Sequence, residues 1–124
     1  MIKPHLGFVI LLVNNPIKSA AFYADLFNIK PVEQSPTFAL FALSNGVLLG
    51  LWSRYTVEPR PEGNPGSVDI CFPSDNIDNL YESFGKKGIT IIQKLTDMDF
   101  GRTFVALDPD GHRIRMYTMK EEIA

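Results

Sequence analysis

The stretch that decides the fold lies near the C-terminus and reads Phe100-Gly101-Arg102-Thr103-Phe104-Val105-Ala106-Leu107-Asp108-Pro109-Asp110-Gly111-His112-Arg113-Ile114-Arg115-Met116-Tyr117. Its middle, Asp108-Pro109-Asp110-Gly111, is typical of a tight turn. Proline fixes φ at the second position, the first aspartate can accept hydrogen bonds from the turn backbone, and glycine tolerates a positive φ. β-branched and aromatic residues flank the turn on both sides, which predicts a β-hairpin.

The second arm of this hairpin alternates polar and apolar residues from Arg113 to Tyr117. Because successive side chains of a strand point to opposite faces, Arg113, Arg115 and Tyr117 share one face. Two guanidiniums and a phenol indicate a face that is not part of a dry core. Simple solvent exposure would explain them, and so would contact with an anionic ligand.

The length, composition and net charge limit which class of protein this chain can be. With 124 residues, 45% of them hydrophobic and 21% charged, the chain has the size and composition of one globular domain. A net charge of −2 argues against nucleic acid and against an anionic membrane surface. The longest apolar run, residues 6–13, is too short to span a bilayer, so we expect no membrane association. A single cysteine favours a cytoplasmic protein.

The rest of the sequence predicts the same order of elements twice. In the first half, strand 6–13 precedes a helix from Pro16 to about Phe27, which Asn15 caps and Asn28 closes, and strands 30–34, 37–43 and 47–54 follow. In the second half, strand 68–72 precedes an amphipathic helix that ends at Gly88. Strand 89–95, a polar loop at 96–99 and the hairpin complete it.

This repeat predicts an α+β fold of two tandem βαβββ modules in a single domain. The modules span about residues 5–54 and 66–118, and a linker rich in proline and glycine joins them at 55–66. Each module has one helix for one face of its sheet. We therefore expect the two remaining faces to curl around a shared cavity.

Three segments carry a family resemblance. The first is VNNPIKSAAFY at 13–23, the second is VDICF with NIDNLYE within 68–82, and the third is FGR with DPDG in the closing hairpin. Together they resemble the vicinal oxygen chelate superfamily, the glyoxalase/bleomycin-resistance protein/dioxygenase family. The resemblance covers nearly the whole chain and implies a glyoxalase/bleomycin-resistance-like cleft. It is more specific for the fold than for an activity.

The resemblance also implies where a metal would be held. Members that perform metal-dependent chemistry carry His, Gln or Glu at four positions, on the first and last strand of each module. Here these positions hold Phe8, Gly50, Asp69 and Arg115. Only Asp69 could ligate a divalent cation, and Arg115 would repel one. We therefore expect neither a metal site nor another cofactor.

This departure favours a metal-free small-molecule-binding protein of the glyoxalase/bleomycin-resistance type, which sequesters an aromatic or antibiotic-like compound. A carboxylate in such a pocket needs a partner, so Asp69 and Arg115 are predicted to form a direct ion pair. The expected ligand-binding residues share the strand parity of the four metal positions and form an apolar pocket with a few charged groups. They are Phe8, Ile10, Leu48, Gly50, Trp52, Arg54, Asp69, Cys71, Arg113, Arg115 and Tyr117.

Two other functions stay open. One is a metal-dependent lyase, isomerase or extradiol dioxygenase of the same superfamily, whose ligands the assumed register misplaces. The other is an interaction module whose cleft holds part of a partner protein. No catalytic residue is identified, because nothing in the sequence places a base beside Cys71. A homodimer is expected, since the open sides of the sheets would expose excess apolar surface. The residues of this excess are Phe38, Phe41, Leu49 and Leu51.

Overall fold

The computed structural model describes residues 4–120, and the chain divides into two compact units, residues 1–63 and 64–124. In the described residues each unit holds one helix and one four-stranded sheet, in the order β-α-β-β-β. This confirms the α+β fold with two βαβββ modules. Across residues 4–120, no helix has the length and apolar character needed to cross a membrane.

Unit 1 contains a mixed sheet and one helix. Its elements are β1 (Phe8–Val13), α1 (Pro16–Phe27), β2 (Glu33–Gln34), β3 (Phe38–Ala42) and β4 (Leu48–Ser53). The strand order is β1-β4-β3-β2; β1 runs parallel to β4, and the other pairs are antiparallel. The second strand is shorter than the predicted 30–34, and β1 begins at Phe8 rather than at residue 6.

The ends of α1 follow from local chemistry. The side-chain oxygen of Asn15 accepts hydrogen bonds from the backbone N–H groups of Ile17 and Lys18, at 3.1 and 3.2 Å. Pro16 occupies the first turn, where a missing N–H costs nothing. Asn28 adopts the left-handed conformation with φ 55°, which ends the helix as predicted.

One face of the unit 1 sheet is core. Phe41, Leu49 and Leu51 are almost fully buried, as is Tyr23 of α1. The prediction that these three sheet residues form excess exposed surface is therefore wrong, because they lie on the face that the helix covers. Phe38 lies on the opposite face and is half-buried. Whether the chain forms a homodimer through other residues stays a prediction, which sedimentation at micromolar concentration would test.

Unit 2 repeats the arrangement. Its elements are β5 (Asp69–Pro73), α2 (Ile77–Lys86), β6 (Ile91–Met98), β7 (Gly101–Leu107) and β8 (Arg113–Met119). The strand order is β5-β8-β7-β6, with β5 parallel to β8. The helix covers one face through aromatic contacts: Phe84 and Tyr81 meet the ring of Phe104 edge-on, at centroid distances of 5.0 and 5.1 Å.

The closing hairpin forms as predicted. Asp108 Oδ1 accepts hydrogen bonds from the backbone N–H groups of Asp110 and His112, both at 2.9 Å, and Gly111 has φ 94°. The polar loop predicted at 96–99 is wrong, because β6 continues to Met98 and pairs with β7. Asp97 stands opposite Arg102 in this ladder and accepts a hydrogen bond from its guanidinium at 2.9 Å, which favours strand pairing over a loop.

Candidate functional site

Each sheet has a second face that the helix of its own unit does not cover. In unit 1 we call it the apolar face. Strand register places Phe8 beside Leu48, Ile10 beside Gly50, and Leu12 and Phe38 on either side of Trp52. The residues of the apolar face are Phe8, Ile10, Leu12, Phe38, Leu40, Leu48, Gly50 and Trp52.

The apolar face exposes aromatic and aliphatic side chains around a glycine. Phe8 and Ile10 are each 42% exposed, and Trp52 is half-buried with its ring edge-on to Phe38 at 6.0 Å. A Cβ atom at Gly50 would lie 2.8 Å from Cε1 of Phe8 and 3.2 Å from the Phe38 ring. The absence of a side chain at Gly50 therefore lets these rings approach the strand backbone.

The corresponding face of unit 2, which we call the charged face, has different chemistry. Register places Asp69 beside Arg113, Cys71 beside Arg115, and Thr103 and Val105 opposite Tyr117 and Arg115. Gln93 stands opposite Val105 on the next strand. The residues of the charged face are Asp69, Cys71, Gln93, Thr103, Val105, Arg113, Arg115 and Tyr117.

Arg115 is the fixed centre of the charged face. Its Nε donates to Asp69 Oδ2 at 2.8 Å, which confirms the predicted ion pair. Its Nη1 donates to Gln93 Oε1 at 2.9 Å and to Thr103 Oγ1 at 3.2 Å. The Thr103 hydroxyl in turn donates to the carbonyl oxygen of Met116 at 2.7 Å, and Thr103 is fully buried. This network holds the guanidinium plane in one orientation.

Arg113 makes a second ion pair to the same carboxylate. Its Nε lies 2.6 Å from Asp69 Oδ1, yet this buried nitrogen lacks the angles of a hydrogen bond. The sequence predicted only the Arg115 pair. One carboxylate therefore serves two guanidiniums, and Arg113 is held less firmly than Arg115.

The thiol of Cys71 borders this cluster. Cys71 is solvent-accessible, but partial burial of its sulfur raises the thiol pKa, and the negative charge of Asp69 raises it further. The positive charge of Arg115 acts in the opposite direction and is the smallest of the three effects. A raised pKa leaves little thiolate at neutral pH, which argues against a nucleophilic role.

Of the three predicted residues that remain, two lie on these faces and one lies outside the strands. Leu48 and Tyr117 lie on the apolar and charged faces, and both are half-buried. Arg54 lies just beyond β4 in a turn, where its Nη2 donates to the carbonyl oxygen of Gly63 at 3.5 Å. It is thus the one predicted site residue of unit 1 that no strand of that unit holds.

The expected ligand-binding residues left out six residues of these faces: Leu12, Phe38, Leu40, Gln93, Thr103 and Val105. Counting outward from the closing turn would have found Thr103, because Leu107 pairs with Arg113 and Thr103 with Tyr117. No parity rule would have found Gln93, since the β6–β7 ladder has register irregularities on both sides of it.

The side chains present do not suit a divalent metal. Within residues 4–120, no three His, Cys, Asp or Glu side chains cluster closely enough to hold an ion. Phe8 and Gly50 offer no donor, and the carboxylate of Asp69 is already shared by two guanidiniums. Donor chemistry at these positions therefore does not fit the metal that the family resemblance implies.

Comparison with known proteins agrees with the fold. The family model of the Glyoxalase/Bleomycin resistance protein/Dioxygenase superfamily matches residues 5–116. The chain belongs to this superfamily.

Individual relatives are similar over most of the chain. The phenazine antibiotic resistance protein EhpR of Enterobacter agglomerans is 32% identical over 120 residues, 93% of this chain and 91% of that protein. Protein ATC0852 of Agrobacterium tumefaciens, solved in solution by NMR, has a TM-score of 0.85 at 42% identity and covers 95% of this chain and 99% of its own. A lactoylglutathione lyase of Schizosaccharomyces pombe is 27% identical over 144 residues, 94% of this chain but 48% of that enzyme.

Proposed function

We propose that this protein binds a planar aromatic small molecule without a metal ion and thereby sequesters it. The observation that carries the proposal is the apolar face, where Phe8, Phe38 and Trp52 are only partly buried around the bare backbone of Gly50. Partly exposed rings beside a side-chain-free position offer a flat surface on which an aromatic ligand can stack.

The similarity to a phenazine antibiotic resistance protein supports the choice of ligand class. A phenazine is a flat tricyclic aromatic compound, and the similarity extends over nine-tenths of both chains. Aromatic pairs contribute about 0.5–1.5 kcal/mol beyond the area they bury. Trp52 is therefore the side chain whose removal should weaken binding most clearly among the residues of the apolar face.

Calorimetric titration with phenazine tests the proposal directly. Wild-type protein should bind phenazine saturably, and Trp52→Ala should weaken the affinity roughly tenfold, which corresponds to about 1.4 kcal/mol. Tyr55→Ala is the matched control, because it removes an aromatic ring of the same unit that is 63% exposed and lies in the turn after β4. Equal losses in both variants, or no saturable binding in the wild type, would contradict the proposal.

A metal-dependent enzyme is the second candidate. The similarity to a lactoylglutathione lyase favours it, whereas Phe8, Gly50 and the double pairing of Asp69 do not. Elemental analysis of purified protein separates the two candidates. We expect no stoichiometric Zn, Ni, Mn or Fe, and a value near one metal per chain would favour the enzyme.

A further inference from the structure

The charged face of unit 2 carries one more positive charge than its acid group balances. The Nε atoms of Arg113 and Arg115 lie 2.6 and 2.8 Å from the two carboxylate oxygens of Asp69. Arg102, the third arginine of this unit, binds Asp78 of α2 and Asp97 instead. Its contact with α2 places Arg102 on the helix side of the sheet. Two guanidiniums of the charged face therefore share one carboxylate, and one formal positive charge is left in excess.

Both guanidiniums keep N–H groups that no described residue accepts. Within residues 4–120, Arg115 donates through Nε and Nη1, and its Nη2 has no acceptor. Asp69 is the polar partner of Arg113 there, and no acceptor meets the Nη1 or Nη2 of Arg113. Among these residues, the Nε of Arg113 is the one side-chain nitrogen or oxygen that is both fully buried and unpaired. The unpaired terminal nitrogens of the two arginines therefore reach solvent.

The two guanidiniums lie side by side but are held differently. Arg113 and Arg115 alternate with Ile114 along β8, so their side chains share one face, and both contact the same carboxylate. Arg115 is 17% exposed and is fixed by three acceptors, whereas Arg113 is 34% exposed and lacks a well-formed hydrogen bond at Nε. A fixed guanidinium binds an oxyanion at little cost in ordering entropy, and the less constrained one can adjust to the same group.

We infer that Arg113 and Arg115 form a binding site for the carboxylate group of a small acid, and that this site lies within unit 2 alone. It goes beyond the proposed function and does not depend on the apolar face. Charge-assisted hydrogen bonds are stronger than neutral ones, and the guanidinium fork matches the two oxygens of a carboxylate. One monoanion balances the excess charge, whereas a dianion would leave negative charge in excess beside Asp69.

Titration of isotope-labelled protein with sodium acetate, followed by NMR, tests the inference. Sodium acetate replaces sodium chloride at constant ionic strength, so the general screening of charges does not change. The Nε–H signals of Arg113 and Arg115 should shift saturably, with a dissociation constant in the millimolar range because the ligand is so small. The Nε–H signal of Arg102 should stay in place. Acetamide, which has the shape of acetate without its charge, should shift none of the three signals.

Substitutions within unit 2 should change the affinity for acetate in opposite directions. Arg113→Met should weaken it about tenfold, and Arg113→Lys less, because a lysine keeps the charge but loses the fork. Asp69→Asn should strengthen it severalfold, because this change removes the carboxylate that competes for the same donors. Arg102→Met is the matched control, since it removes the same charge from the helix side of the same sheet, and it should keep the wild-type affinity.

Four results would overturn the inference. They are shifts that acetamide reproduces, acetate binding that survives Arg113→Met, an equal loss in Arg102→Met, and weaker binding in Asp69→Asn. Tighter binding of sulfate, a dianion, than of acetate would overturn the choice of a carboxylate. Dispersed backbone amide signals confirm that each variant is folded, and the gain expected of Asp69→Asn is a result that misfolding cannot produce. Phenazine binding at the apolar face is measured separately, so the proposed function and this inference can fail independently.

Discussion

The apolar face of unit 1 and the charged face of unit 2 occupy equivalent positions in two copies of the same βαβββ plan, yet their chemistry is opposite. In both, a parallel strand pair lies beside an antiparallel hairpin, and one helix covers the other side. Where unit 1 has Phe8, Leu48 and Gly50, unit 2 has Asp69, Arg113 and Arg115. The helix-covered faces have not diverged in this way, since both are apolar cores.

The difference shows which residues are free to specify function in this fold. Core residues such as Phe41 and Phe104 are set by packing against a helix, because any vacated volume costs stability. The uncovered faces carry no such constraint from their own unit. One has become a surface of rings and aliphatic groups, and the other has become a network of ions and hydrogen bonds. The comparison predicts that substitutions on the charged face cost more stability than those on the apolar face.

The largest effect is expected at Arg115. Arg115→Ala removes the partner of Asp69 and leaves Gln93 and Thr103 without their donor. Breaking a buried pair costs about 3–5 kcal/mol, and the partial exposure of this pair together with the remaining Arg113 contact lowers our expectation to about 2–3 kcal/mol. Urea denaturation measures the loss.

A double-mutant cycle separates the pair from its surroundings. The combined Asp69→Asn and Arg115→Met change should lower the free energy of unfolding clearly less than the two single changes summed. Each single change leaves the other member of the pair as a charge without this partner, whereas the double change removes both charges. Strictly additive costs would show that the 2.8 Å contact contributes little to stability.

A smaller effect is expected at Gly50 on the apolar face. Gly50→Ala would place a Cβ atom 2.8 Å from Cε1 of Phe8, the far end of a side chain that is 42% exposed and can move. We expect the free energy of unfolding to fall by about 1 kcal/mol or less, because the Phe8 ring can move into solvent and so relieve the overpacking. Thermal or urea unfolding measures this loss.

The same substitution in a Phe8→Ala background sharpens the comparison. With the nearest ring removed, Gly50→Ala should become nearly neutral, and only the Phe38 ring at 3.2 Å would still resist it. A loss larger than that of Arg115→Ala would reverse the ranking of the two faces.

The smallest expected effect is on the reactivity of Cys71 rather than on stability. Because burial and Asp69 raise its pKa, the thiolate forms at higher pH than in an ordinary cysteine. The rate at which iodoacetamide alkylates Cys71 should therefore begin to rise at a higher pH than the rate at which it alkylates an unperturbed cysteine thiol. Asp69→Asn removes one of the two raising causes, so its rate profile should shift toward lower pH. An unchanged profile would show that the Asp69 charge does not reach the thiol.

Local sequence signals correctly predicted the ends of α1 and the closing turn. The cap at Asn15, the left-handed Asn28 and the turn from Asp108 to Gly111 each depend on a few neighbouring residues, and each forms as expected. Strand parity, together with the neighbouring strands that the family resemblance implies, then placed Asp69 and Arg115 on one face.

Properties that depend on distant packing were not predicted. Phe41, Leu49 and Leu51 alternate with the residues of the apolar face, but the alternation does not say which face α1 covers. The extension of β6 to Met98 depends on pairing with β7. The polar residues at 96–99 are typical of a loop, so the sequence pattern does not predict this pairing. The second pair of Asp69, with Arg113, requires side-chain positions that parity leaves open.

The most direct test of metal-free sequestration is a phenazine titration of protein treated with a strong chelator, followed by mass spectrometry of the recovered ligand. We predict saturable binding that the chelator does not weaken and that added Zn, Ni, Mn or Fe does not strengthen, with the phenazine recovered unchanged. Binding that appears only after a metal is restored, or a chemically altered phenazine, would contradict the account.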